Sequence, residues 1–513
     1  MARSATPSFV VELPIVVDSK QERELEVRFQ VGRQLYNACL NEAMVRMELV
    51  RNSDAYKAAK KIPRDKKKER QKAFNDARNA YRFCDYDLQA YATKVSNESS
   101  WIAEKLDSNT QQTIATRAFK ASERVMFGRA KKVRYKIPSR FKSLEGKTNK
   151  QGIRWKNNQL VWGSLKLNVI IEQSNPVIQH GLNSPVKYVR ILWRELNGKR
   201  RWYVQLICLG EPYQKPKNYV FDGVVGLDLN ISNIAFVGDK HAGLLPFAEG
   251  VPRCENEIRA LQRKMERSRR ANNTDNYEPD FKGKKGRKVV KKKGKAKKGK
   301  RRWNNSQTYN KTAAKKRNLE RRKTAYAKSQ NRKIVNEILR HGKEVKTENV
   351  SVKGWQKRYG KAISAKSPGF VQSELKRKAE KAGGSFTKFS TQKTALSQTH
   401  LNGERIKKPL SERVHRDVTG VVMHRDLFTA YLSRHVNQDS LSLHDAVNQY
   451  QGAEPLLLEA WKRYQQTARR VGESQSPCAD CPVEQFSSEG KKVSQIANKG
   501  EKLTPPLPES PNF

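Results

Sequence analysis

Acids are scarce in this chain. Its 513 residues hold 51 Asp and Glu against 104 Lys and Arg, a formal net charge of +53. Cysteine is scarcer still: six in the whole sequence, with Cys39, Cys84, Cys208 and Cys254 isolated from one another. That spacing excludes a disulfide framework and predicts a reduced protein. No run approaches the ~18 consecutive apolar residues of a transmembrane helix, so a membrane partner is excluded. The first 14 residues show no basic segment followed by an apolar one, so secretion is not expected. Aromatic residues, by contrast, are plentiful, with 8 Trp, 17 Tyr and 17 Phe, which argues for folded domains, about three at this length. A surplus of 53 positive charges repels itself unless a polyanion neutralises it, and a nucleic acid offers one phosphate every few ångströms.

The pattern then divides the chain. An apolar strand over 9–17 is followed by Asp18 at a helix N-cap. Leu25, Phe29, Gly32, Tyr36, Cys39, Ala43 and Met47 recur behind it at helical spacing. The helical, basic pattern runs to about residue 125, with RDKKKER (64–70) as a solvated face. Strands follow over 133–210; two β-branched runs, 186–196 and 199–208, flank Asn197-Gly198, a strong hairpin signal. Aromatic and basic residues interleave here, as stacking surfaces and phosphate ligands would. Arg134, Tyr135, Arg140, Lys142, Arg154, Trp155 and Arg194 are the candidate nucleic-acid contacts in this stretch, although many of its aromatics suit a core equally well.

A third unit opens with three short strands, 224–229, 234–237 and 243–247. A basic helix (254–271) carries Arg263 and Lys264. Over 282–302, 14 of 21 residues are Lys or Arg, including Lys285, Arg301 and Arg302. This low-complexity stretch is expected to be a disordered loop that orders on nucleic acid. A helix is expected over 305–340, a strand over 344–350, a helix over 371–382, a strand over 385–390 and a final helix over 420–435.

Against this basic background three acids occupy apolar surroundings: Asp228 in VVGLDLN, Glu348 at the end of VKTE, and Asp426 in HRDLFTAYL. A carboxylate there is costly unless something pairs with it. Each alone fits a buried salt bridge. Their order fits something more: an acid on the first strand of a meander, one on a later strand, one on the last helix. That is the RNase H-like layout, in which three carboxylates hold two divalent metals about 4 Å apart for phosphodiester hydrolysis. All-oxygen ligands point to two Mg²⁺, or Mn²⁺.

GLDL (226–229), KTE (346–348), TALSQT (394–399), KPLSER (408–413) and HRDLFTAYL (424–432) resemble the split RuvC nuclease domain of TnpB proteins. These are transposon-encoded RNA-guided DNA endonucleases, ancestral to type V CRISPR effectors. The resemblance is specific over about 226–436 and looser before it. It implies a multidomain α+β protein, with an N-terminal helical recognition unit and a β-barrel wedge domain before an RNase H-like (RuvC) α/β nuclease domain. The implied boundaries are a first wedge strand (1–17), a helical recognition domain (18–130) and the wedge barrel (131–220). Then come the first two RuvC segments (221–397, with a basic loop at 272–304), a degenerate zinc-ribbon insert (398–420) and the third RuvC segment (421–440). A C-terminal extension (441–513) is expected to be disordered from about 472. Asp228, Glu348 and Asp426 match the family's catalytic, metal-holding acids. The implied partners are a guide RNA and double-stranded target DNA with a short flanking motif; the sequence leaves the oligomeric state open, with a monomer favoured, and a prokaryotic cytoplasmic, nucleoid-associated location is expected.

The departures are concentrated in the insert. Family members carry four zinc-binding cysteines there; this chain reads THLNG (399–403) and HRDVTG (415–420), with no cysteine. His400, His415 and Asp417 remain, but no C-x-x-C pair anchors a zinc ion, so a metal-free insert is expected. Cys478 and Cys481 form a lone pair in the tail, half a zinc site, and no zinc is expected there either. An RNA-guided regulator or transposon-targeting protein that binds without cutting is the alternative, ahead of a guide-free transposase or a structural RNA-binding protein.

Overall fold

The computed structural model describes residues 7–249, 251, 254–285, 288–299, 302–409 and 411–471. The expected disorder from residue 472, the Cys478–Cys481 pair and Arg301 lie outside the described residues. It is a mixed α/β protein of several units, and among the described residues no helix is long and apolar enough to cross a membrane.

β1 (Ser8–Val16) points Phe9, Val11, Leu13 and Ile15 inward. Asp18 then caps α1 (Ser19–Asn52) in a reciprocal capping box with Gln21. Five more helices follow: α2 (Asp54–Lys61), α3 (Lys67–Ala80), α4 (Asp85–Glu98), α5 (Ser100–Ala103) and α6 (Ser108–Met126). Beyond them lie β2 (Ser143–Glu145), β3 (Ile153–Lys156), β4 (Gln159–Trp162), β5 (Leu165–Val169), α7 (Pro176–Leu182), β6 (Val186–Leu196) and β7 (Lys199–Leu209). The turn between β6 and β7 puts both Asn197 (φ 50°) and Gly198 (φ 77°) in the left-handed region, as a two-residue hairpin needs.

These seven strands form one antiparallel sheet in the order β2-β6-β7-β1-β5-β4-β3. The expected barrel is not closed among the described residues: β2 pairs with β6 alone and β3 with β4 alone, leaving each an edge. The physical reason is that β2 is only three residues long, and α1 and α6 share one apolar core with the sheet. Gly32 marks that contact, since a Cβ there would meet the Leu144 side chain at 2.9 Å. Trp162, Trp193 and Trp202 are buried in the same core, so these tryptophans fill the interior and offer no face to a base.

The second sheet contains β8 (Val224–Leu229), β9 (Asn233–Val237) and β10 (Ala242–Pro246) as an antiparallel meander. The chain continues through α8 (Glu255–Ala271), β11 (Phe281–Lys285), β12 (Lys288–Lys292) and α9 (Gln307–Leu339) to β13 (Glu344–Glu348). Then come α10 (Val352–Lys366), α11 (Pro368–Lys381), β14 (Ser385–Phe389), α12 (Thr391–Thr394), β15 (Val414–Arg416), β16 (Val422–His424), α13 (Arg425–Arg434) and α14 (Leu443–Val471). The sheet order is β10-β9-β8-β13-β14, with β13 parallel to both β8 and β14. Alternation along the strands sends Val225, Leu227 and Leu229 toward α9 and α11, whereas Ala235 and Val237 face α13 and α14.

Two expectations are corrected here. Over its described residues the basic stretch 282–302 is not a disordered loop: β11 and β12 pair antiparallel, and the base of the pair is pinned. Asn273 exchanges two hydrogen bonds with the Asn304 backbone (2.7 and 2.8 Å), and Tyr277 is buried beneath the Arg270 guanidinium. The helix near 420–435 is neither as long as expected nor the last. It starts at Arg425 after β16, and α14 follows, packing Leu457 and Trp461 into the core around α13.

Candidate functional site

The three acids meet where the second sheet touches α13. Since Leu227 and Leu229 face α9 and α11, Gly226 and Asp228 face the other way, toward α13. Gly226 lets the helix come close. A Cβ there would overlap the Ala430 carbonyl and lie 2.6 Å from the Arg434 amide. That contact lays the first turn of α13, with Asp426, beside the carboxyl end of β8. Glu348 arrives through the neighbouring parallel strand: Thr347 pairs with Leu227, so one step further Glu348 stands level with Asp228.

The electrostatics register the convergence. Burial, and then the charges of Asp426 and Glu348, raise the Asp228 carboxyl well above the ordinary carboxylate range. Burial alone pushes Glu348 up to about 7, and no hydrogen bond or ion pair reaches its carboxylate among the described residues. Asn230 donates to Asp228 Oδ2 (3.2 Å). Asp426, 2 % exposed, is flanked by Arg413 Nη1 (3.8 Å) and Arg425 Nε (3.9 Å). Asn230, Arg413 and Arg425 were not singled out from sequence. Asn230 had a signal, lying two residues beyond Asp228 and hence on the same side of the strand. Two buried carboxylates and a half-buried one with so little compensation are a donor set suited to divalent cations that prefer oxygen.

A second cluster lies in the 398–420 insert. Ligand atoms of His400, His415 and Asp417, all buried, lie within 4.8 Å of one another. Hydrogen bonds already occupy most of them. Lys408 Nζ donates to His415 Nδ1 (2.8 Å), which leaves His415 Nε2–H to donate to Asp417 Oδ2 (2.9 Å). The Leu401 amide and the Thr419 amide and hydroxyl also donate to Asp417 (2.8–3.0 Å). Burial lowers the His415 imidazole to about 4, so it is neutral. For Asp417 burial opposes charge, but the hydrogen bonds from His415, Thr419 and Leu401 outweigh it and hold the carboxyl below its ordinary value. The Val418 amide donates to His400 Nδ1 (3.0 Å), and only His400 Nε2 is buried without a partner. The His415 ring stacks on Phe428 of α13 at 3.9 Å between centroids, two residues from Asp426. The cluster therefore ties the insert to the helix that carries an acid.

The nucleic-acid candidates separate. Arg134, Tyr135, Arg140 and Lys142 are exposed along the segment leading into β2, with the Tyr135 hydroxyl donating to Asn41 (2.7 Å). Arg154 and Trp155 are half-buried on β3, and Arg154 Nε has no partner. Arg194 is engaged by Glu12 in a two-pronged pair (2.5 and 2.7 Å). Arg263 and Lys264 are exposed on α8; Lys285 lies on β11, and Arg302 is exposed beside the base of the hairpin.

No family model and no curated protein matches the chain. Among solved structures it is similar to a protein in a cryo-EM structure of a Cas12f1–sgRNA–target DNA complex. The identity is 10%, the TM-score 0.38, and the match covers 83% of this chain and 98% of that one. A cryo-EM structure of a CRISPR–Cas12f ternary complex is similar at 10% identity and a TM-score of 0.27, covering 83% of each chain. At these scores the likeness carries no functional argument.

Proposed function

We propose that this protein is an RNA-guided DNA endonuclease whose hydrolytic centre is Asp228, Glu348 and Asp426. The observation that carries the reading is the convergence of three under-compensated carboxylates at one end of a β10-β9-β8-β13-β14 sheet in a protein of charge +53. That strand order, a three-strand meander followed by two strands parallel to its first, supports the RNase H-like reading of the unit. The motif resemblance to TnpB proteins adds the guide RNA, the flanking motif and the split RuvC organisation.

In this centre Asp228, Glu348 and Asp426 would hold two Mg²⁺ or Mn²⁺ ions. Bound there, the metals supply an activated water and stabilise the leaving oxygen of the phosphodiester. The chain's own groups do the rest. Asn230 fixes one oxygen of Asp228 and leaves the other free to ligate. Glu348, without a competing donor, presents both oxygens. Arg413, its side chain 56 % exposed beside Asp426, is placed to meet the phosphate backbone and orient the strand. Zinc has no part in the proposal, because hydrogen bonds within the insert already hold His415 and Asp417. Base pairing to the guide reads the target, while the protein reads the flanking motif and the heteroduplex shape.

Asp228→Ala tests the assignment. The variant is expected to bind guide RNA and a matched target as the wild type does, and to lose Mg²⁺-dependent cleavage. A wild type that binds a matched target and cleaves no better than Asp228→Ala would establish the non-cutting regulator instead.

A further inference from the structure

α2, α3 and the end of α6 enclose a cavity of about 520 Å³ in which the catalytic acids take no part. The run 64–70, which reads in sequence as a solvated face, supplies part of its wall. Chemistry divides the lining. Tyr56, Phe74 and Phe127 contribute rings; Arg64, Lys67 and Arg70 contribute charge; no carboxylate lines it. The Tyr56 and Phe74 rings stand 5.2 Å apart at 56° and form a fixed corner. Phe127 is 52 % exposed at the mouth, with the Arg78 and Arg129 guanidinium groups 5.6 and 5.8 Å from its ring centre. Arg70 is held in place: Nη1 donates to the Ile62 carbonyl (2.6 Å) and its guanidinium lies 5.4 Å from the Phe74 ring. Arg64 and Lys67 are exposed and make no ion pair among the described residues. α3 begins at Lys67 with no side chain capping its first-turn amides; Arg78, also in the lining, pairs through Nη2 with Glu123 (3.4 Å) and keeps only its Nε without a partner.

Cations gathered around an unfilled space repel one another until an anion enters. A bare phosphate would use the charges and leave the rings idle, and an acidic peptide has no need of three aromatic faces. A nucleotide uses both, stacking its base on the rings while cations take its phosphate. The cavity is of a size for one such unit, and a paired base inside a duplex has no way into it. We propose that this cavity receives one unpaired nucleotide of a single-stranded nucleic acid, with the base against Tyr56, Phe74 and Phe127 and the phosphate on Arg64, Lys67 and Arg70. The site stands apart from the hydrolytic centre and does not depend on the nuclease reading.

The experiment uses the full-length protein and a 12-nucleotide single strand bearing 4-thiouridine, or 4-thiothymidine in the DNA form, at 300 mM KCl. Ultraviolet crosslinks are mapped by mass spectrometry. They are expected on peptides holding Tyr56, Phe74 or Phe127, with uridine monophosphate in excess reducing their yield. Phe127→Ala is expected to weaken them about tenfold, the order of one lost stacking contact. Lys67→Glu should weaken them as well, whereas Lys94→Glu on α4, an equal change of charge away from the cavity, should not. Thermal melting verifies that the variants are folded. Crosslinks with RNA alone would identify the guide as the source of the nucleotide, and crosslinks with DNA would identify a displaced strand. The proposal is overturned if folded wild-type protein crosslinks elsewhere. It is equally overturned if a blunt duplex labels the cavity as strongly, or if Lys94→Glu weakens labelling as much as Lys67→Glu. Absence of DNA cleavage would leave these results unaltered.

Discussion

Replacing Glu348 with glutamine should stabilise the metal-free protein at alkaline pH. Glu348 is 9 % exposed, and burial without a partner raises its carboxyl to about 7. In the unfolded chain the same group titrates near the ordinary 4.5. Between those values the folded protein holds a proton that the unfolded chain has released, so stability falls as pH rises through this window. Above it the buried charge costs about 3 kcal/mol, since each unit of displacement is worth roughly 1.4 kcal/mol. Glutamine keeps the shape without the charge, but its amide lacks a partner as well, which offsets part of the gain. The net expectation is about 1–2 kcal/mol in favour of Glu348→Gln at pH 8, a shift of a few degrees in melting temperature. At pH 5, where the wild-type carboxyl is neutral, the difference should vanish or reverse. Calorimetry in EDTA at pH 5, 6, 7 and 8 measures this directly. Millimolar Mg²⁺ should then raise the wild-type transition at pH 8 and leave the variant's nearly unmoved. A variant less stable than wild type at pH 8 in EDTA would refute the reasoning, because it would mean that a partner stabilises the Glu348 carboxylate.

Gly226→Ala should destabilise the unit built on the second sheet by more than the 1–3 kcal/mol of ordinary overpacking, because the new methyl meets backbone of α13 rather than a movable side chain; chemical denaturation measures it. Asp417→Ala strips partners from His415, Leu401 and Thr419 and should cost about 2–4 kcal/mol, with loss of cleavage exceeding loss of RNA binding because the insert also steadies α13. Elemental analysis of the purified protein should find well under one zinc per chain, and phenanthroline should leave its melting temperature unmoved. RNA affinity should fall steeply between 100 and 300 mM KCl, as counterion release requires for a surface this basic, and filter binding across a salt series gives the slope.

The acids were legible in sequence because carboxylates are rare here and these three sit in apolar runs. Register and the Gly226 contact, which bring them together, follow from strand alternation once the sheet order is known. The β6–β7 turn was legible in Asn197-Gly198 and the start of α1 in Asp18, since both are local chemistry. Barrel closure was not, because it depends on whether β2, only three residues long, pairs with β3 as well as with β6, and strand alternation alone does not decide that. α14 was overlooked for a different reason. Ala446, Tyr450, Ala453, Leu457 and Ala460 keep helical spacing and are buried, but Gly452 and Pro455, both poor helix formers, interrupt the run. The hairpin in the basic stretch hides behind its lysines. What holds it is the Asn273–Asn304 exchange at its base, a contact between residues that composition alone does not connect.

The central claim is that this protein carries a defined RNA and cuts DNA under its direction. The direct measurement is to express it with its native flanking locus, purify it, sequence the bound RNA, and challenge the preparation with plasmids carrying a matching target beside a randomised flank. One discrete RNA species, with loss of particular flanks in Mg²⁺ and none in EDTA, is the predicted result. Heterogeneous RNA with no target selected under either condition would contradict it.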